Sequence, residues 1–60
     1  MAKFRIGQRI KIDDGRMKNP IFGTIREVVE SDTVAYGIVC EGFGHEVFYF
    51  NERVVFAPGE

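Results

Sequence analysis

Sixty residues confine this chain to one domain, residues 1–60, and so short a domain buries only ~60% of the surface that its unfolded form exposes. A single cysteine, Cys40, excludes an intramolecular disulfide, and one histidine, His45, with one cysteine cannot complete a zinc site. Eight basic against nine acidic residues, net charge −1, lack the basic excess that duplex nucleic-acid binders usually carry, although a local patch could still bind.

The core must then rest on apolar side chains, and a composition 45% hydrophobic with six Phe and two Tyr can supply them. Self-association is a second route to stability. No metal and no cofactor is expected. The lack of a cysteine framework favours a reducing compartment. Met1-Ala2-Lys3-Phe4-Arg5 runs into charge rather than an apolar segment, which is not the pattern of a signal peptide. No apolar run approaches the ~20 residues of a membrane helix. These features predict a soluble cytoplasmic protein with no membrane partner.

Helix signals are poor, while Val, Ile, Phe and Tyr are abundant and seven glycines punctuate them, which predicts strands. Phe4, Ile6, Ile10 and Ile12 share one parity and Lys3, Arg5, Arg9 and Lys11 the other, apolar inward and charged outward. Gly7-Gln8 is expected to bend the chain before a first strand over Arg9 to Ile12. Asp13 to Pro20 reads as a long loop, since Asp14-Gly15 and Asn19-Pro20 are turn formers and Pro20 holds Asn19 extended.

A second strand is predicted from Phe22 to Val29. Gly23 permits a bulge or a close backbone approach. Ile25 and Val29 keep one parity while Val28 breaks it, so a bulge is expected near Glu27. Glu30-Ser31-Asp32 is the next turn. The third strand, Thr33 to Cys40, is apolar on both parities, as in a central strand covered on two sides. Glu41-Gly42-Phe43-Gly44 is a hairpin turn. A fourth strand over Glu46 to Phe50 and a fifth over Val54 to Ala57 are separated by Asn51-Glu52-Arg53, enough for one turn of 3₁₀-helix.

Ile6-Gly7-Gln8-Arg9-Ile10-Lys11-Ile12 resembles the opening phrase of KOW-type and other bacterial SH3-like domains. Gly23-Thr24-Ile25-Arg26-Glu27-Val28 resembles their second strand, and Tyr49-Phe50-Asn51-Glu52-Arg53-Val54 resembles the aromatic, polar turn and hydrophobic residue that end many of them. Small prophage-encoded barrels are similar in size and layout. The resemblance covers nearly the whole chain and implies an all-β, five-stranded SH3-like barrel with a 3₁₀ turn before the last strand. It implies no single activity, because this barrel hosts many roles. The chain has no tryptophan and no Ala-Leu-Tyr-Asp-Tyr-like opening, which argues against recognition of PxxP ligands.

Among chemistry-bearing residues, Asp13-Asp14 offers two carboxylates to a metal or to acid–base work, yet carboxylates before Gly15 are the composition of a solvated turn, and no partners converge on them. His45 beside a turn reads as an exposed polar residue. Cys40 at the end of an apolar strand reads as a small buried residue, and Glu41 next to it disfavours thiolate. Arg9 and Lys11 on strand one, with Arg16 and Lys18 on the loop, form a candidate basic edge for phosphates, diluted by Asp13 and Asp14. Along strand four, Val47 and Tyr49 point one way and Phe48 and Phe50 the other, and only one set can fill the core. Phe43 stands at a hairpin tip. The expectation is a small non-enzymatic module binding a protein partner through an aromatic surface of Tyr36, Phe43 and Phe48, with the Arg16 to Pro20 loop beside it, in a regulatory or prophage setting. A nucleic-acid module using Arg9, Lys11, Arg16 and Lys18, with Tyr36 or Phe43 stacking on bases, is the alternative, and a self-assembling structural protein the second.

Overall fold

Apolar–charged alternation makes strands, and the computed structural model, which describes Met1–Glu60, contains five of them in one antiparallel sheet with no α-helix. They are β1 (Arg9–Ile12), β2 (Ile21–Glu30), β3 (Val34–Cys40), β4 (Val47–Asn51) and β5 (Val55–Phe56), with a 3₁₀ turn over Glu52–Val54. The strand order is β4-β3-β2-β1-β5, so β4 and β5 are the two edges and the sheet does not close.

Register decides which side chains meet. Ile10 lies opposite Gly23, Gly23 opposite Cys40, Ile25 opposite Ile38, and Ile38 opposite Phe48. These residues share one face, and Ile10, Ile25, Ile38 and Tyr36 are fully buried there with Ile12, Val55, Cys40 and Phe4. The ladder shifts between Ile25 and Glu27, leaving Arg26 without an opposite residue. This bulge moves Val28 onto the core face opposite Tyr36, as the broken parity predicted. Gly23 serves a close approach: a Cβ there would sit 2.6 Å from the Val39 carbonyl oxygen and from Ile38 Cγ2.

The lead-in segment closes one end of the core. Phe4 is 6% exposed and packs edge-on against Tyr36 with ring centroids 5.8 Å apart. Gly7 N–H donates to the Ile25 carbonyl at 2.7 Å, and Ile25 N–H donates to the Gln8 carbonyl at 3.0 Å, so the chain before β1 already lies along β2. Gly7 turns at φ +92°, and the turn releases Ile6 from the inward parity: Ile6 is 66% exposed, contrary to the alternation. The Asn51 side chain caps the 3₁₀ turn by accepting from Arg53 N–H at 3.0 Å. Glu52–Val54 thus swings the chain from one edge of the sheet to the other, where Asp13 N–H donates to the Val54 carbonyl at 2.9 Å.

Candidate functional site

The face of β4 that the sequence left open is settled by register. Phe48 lies opposite Ile38 and Phe50 opposite Tyr36, so both point to the core side, while Val47 and Tyr49 point outward. Phe48 and Phe50 are only half-buried, because β4 is an edge and nothing packs beyond it. Together with Ile21, Cys40 and Phe43 they line an apolar cleft of about 120 Å³ with no polar side chain in its wall.

Local sequence sets that cleft. Gly42 and Gly44 adopt φ +89° and +76°, conformations that L-residues rarely take, and they hold the β3–β4 turn with Phe43 between them. Phe43 N–H donates to the Cys40 carbonyl at 3.1 Å, folding the turn back over the end of β3. The Phe43 ring is 56% exposed, so it forms a wall of the cleft rather than part of the core. Ile21 follows directly on Pro20, which brings the end of the long loop to the same cleft.

Tyr36 requires a correction. It is fully buried and cannot be part of a partner-binding surface. Its hydroxyl accepts from Lys3 N–H at 2.9 Å and from Phe4 N–H at 3.0 Å, and donates to Glu52 Oε2. Burial and the Glu52 carboxylate hold the Tyr36 hydroxyl above its usual pKa, while donation from Tyr36 and from Lys3 N–H holds Glu52 below the usual carboxylate range. The arrangement ties the lead-in to the 3₁₀ turn through the middle of β3.

The predicted basic edge is not an edge, because β1 runs between β2 and β5. Arg9 gives two hydrogen bonds to Glu41, Nε at 2.8 Å and Nη2 at 3.0 Å, and its guanidinium lies 4.5 Å from the Phe22 ring centroid. The pairing holds Glu41 below its usual pKa. Arg16 lies 3.8 Å from Asp14, and Lys18 is exposed on the loop. Lys11 stands between Phe22 and Phe56 in the outer-face register. With Lys3, Asp13, Gly15, Phe56 and Glu60 it lines an open depression of about 630 Å³, where two ammonium groups meet two carboxylates.

Asp13 and Asp14 each accept a backbone N–H two residues on, from Gly15 and Arg16 at 2.9 Å, which is how Asx turns are built. Cys40 is 4% exposed, and burial raises its thiol pKa. His45 is exposed beside the β3–β4 turn. No three His, Cys, Asp or Glu residues converge on a common point. No helix is long and apolar enough to cross a membrane.

Two features escaped the sequence reading. Tyr49 is the outward aromatic of β4, 58% exposed, and its hydroxyl donates to Glu27 Oε1 across β3. Its ring lies over Gly37, where a Cβ would come within 2.9 Å of Tyr49 Cε2 and of Val47 Cγ1. Ile21, Cys40 and Phe50 also join the cleft. The parity of Phe50 with Phe48 was a signal for it, whereas nothing local marks Ile21. The chain matches no family model, no curated protein and no solved structure.

Proposed function

We propose that this chain is a small non-enzymatic binding module that takes an extended apolar segment of a protein partner along β4 and into the Ile21–Cys40–Phe43–Phe48–Phe50 cleft. The observation that carries this reading is an all-apolar cleft bordering an unpaired strand edge. Strand addition to such an edge uses main-chain hydrogen bonds for affinity and a side-chain pocket for specificity. Phe43, exposed at the rim, is the anchor, and Phe48 and Phe50 are the floor. The aromatic surface then lies at the open seam of the sheet and excludes the buried Tyr36.

The architecture is best read as an SH3-like barrel left open at this seam. Five antiparallel strands, a long β1–β2 loop and a 3₁₀ turn joining β4 to β5 support that reading. A cytoplasmic, regulatory or prophage setting follows from the resemblance of its phrases to small bacterial barrels.

A nucleic-acid reading has one observation in its favour, Lys11 interleaved between Phe22 and Phe56 with Lys3 nearby. Asp13 and Glu60 in the same depression, and Glu41 on Arg9, weaken it. Affinity capture from a cell lysate on wild-type and Phe43→Ser protein separates the two. A protein retained after nuclease treatment and at high salt, and lost on Phe43→Ser, supports the apolar cleft. Capture that nuclease or salt abolishes, and that Phe43→Ser leaves unchanged, refutes it, because phosphate contacts are salt-dependent.

A further inference from the structure

The two edges of the sheet are finished differently. β5 is two residues long, and Ala57-Pro58 follows it. A short strand and a proline are devices that blunt an edge against pairing. β4 is five residues long, Val47-Phe48-Tyr49-Phe50-Asn51, with no lysine, proline, charge or bulge. Of the eight backbone hydrogen bonds outside the regular elements, none involves these residues, so the outer main-chain groups of β4 have no partner within the chain.

We infer that the occupant of this edge is a second copy of the chain, its β4 running antiparallel to the first about a two-fold axis at Tyr49. The inference rests on the cleft being a binding surface, as proposed above. Three considerations bear on a second copy: self-complementarity selects it, charge permits it and area limits its strength. First, the edge asks for an extended strand with apolar residues on one face, and β4 is itself such a strand. Pairing about Tyr49 sets Phe48 opposite Phe50 of the second copy and Phe50 opposite its Phe48, all on the cleft side, so the two clefts join into one apolar layer. Isologous contacts of this kind close as a dimer and do not propagate.

Second, charge permits it. Each chain carries −1 overall and β4 carries none, so two copies repel little. Third, area sets the strength. A standard interface takes roughly 800 Å² from each partner. That is about a fifth of the 4288 Å² surface of this chain, whereas β4 and Phe43 are six of its sixty residues. The contact therefore belongs to the small, transient class, with a dissociation constant weaker than about 1 µM. The dimer extends the sheet from five strands to ten while leaving the Lys11–Phe22–Phe56 face untouched.

Sedimentation velocity between about 10 µM and about 1 mM, a range that spans weak association, tests this together with amide shifts in the same series. The expected result is a monomer–dimer equilibrium whose concentration-dependent shifts centre on Val47–Asn51 and Phe43. Tyr49→Glu places two carboxylates across the axis, each beside Glu27 rather than beside a neutralising cation, and should weaken the dimer several-fold, since like charges directly opposite are destabilising. The new side chain lies on the outer surface, and a thermal melt confirms the fold. A monomer at every concentration overturns the inference. So does a dimer whose shifts map to Phe22 and Phe56, or one that Tyr49→Glu leaves intact. A synthetic peptide of alternating valine and threonine separates this failure from that of the underlying reading. If the protein is monomeric yet the peptide shifts β4 and Phe43, only the homotypic pairing falls. If neither occurs, the cleft reading falls with it.

Discussion

Replacing Tyr36 by phenylalanine removes one oxygen from the centre of this molecule and leaves the ring packed on Phe4. The hydroxyl serves three groups, and they are not equivalent. Lys3 N–H has a second acceptor in Glu52 Oε2 at 3.0 Å, and Glu52 is half-exposed and can turn to water. Phe4 N–H has only the Tyr36 oxygen, at 3.0 Å, in a buried position. The variant orphans that amide, and an unsatisfied buried donor costs about 1–3 kcal/mol. For a domain of this size each 1 kcal/mol lowers the melting midpoint by roughly 4–8 °C. The expected shift is therefore on the order of 5–20 °C.

Glu52 adds a pH signature to the same variant. Its pKa is depressed in the folded state, so its contribution is fully present above the ordinary carboxylate pKa and is lost as pH falls through the lower folded value. Wild type should lose stability on acidification over that window, and Tyr36→Phe should lose less, because the donor that depresses Glu52 is gone. Circular dichroism melts and urea titrations across pH measure both effects. Equal midpoints for the two proteins at neutral pH would refute the account of Tyr36 as the tie between lead-in and 3₁₀ turn.

Four further outcomes follow from the geometry. Gly23→Ala should destabilise by about 1–3 kcal/mol, since the Val39 carbonyl 2.6 Å from the new methyl is backbone and cannot step aside; a urea midpoint equal to wild type would contradict this. Phe43→Ser should cost at most about 1 kcal/mol of stability, because more than half of that ring is already in water, yet abolish partner capture; a protein that unfolds would show Phe43 to be a core residue. Cys40 should resist a thiol reagent in the folded state and react only on unfolding, as a buried thiol with raised pKa requires; fast labelling at neutral pH would show the β3 end to be open. Gly37→Ala should displace Tyr49 and break its bond to Glu27, visible as Tyr49 ring shifts without global unfolding.

Much of the fold was legible because its signals are local. The bounds of β1 follow from four alternating residues, and the bulge at Arg26 follows from Val28 falling out of step. The 3₁₀ turn follows from three polar residues between two apolar runs, displaced by one position in the structure. The site was less legible because its determinants are distant in sequence. Tyr36 looks like any strand aromatic until the Phe4 amide, 32 residues away, is found to need its hydroxyl. Arg9 looks free until Glu41, also 32 residues away, is placed beside it. Val47 with Tyr49 and Phe48 with Phe50 are both pairs of strand-forming side chains able to pack in a core, and the register with Ile38 and Tyr36 separates them. The barrel phrases led to five strands and the right turn, while closure of the sheet depends on how β4 and β5 meet and is not encoded in either phrase.

The central claim is that the apolar seam at β4, not the mixed-charge outer face around Lys11, does the binding. A titration of isotope-labelled protein with an alternating apolar peptide, at low and high salt, on wild type, Phe43→Ser and Lys11→Ala, tests it most directly. The account predicts amide shifts confined to Ile21, Cys40 and the stretch from Phe43 to Asn51. It predicts an affinity unchanged by salt and by Lys11→Ala and reduced at least about tenfold by Phe43→Ser, the loss expected for an interface anchor. Shifts centred on Lys11, Phe22 and Phe56, or binding that Phe43→Ser leaves intact, would contradict it.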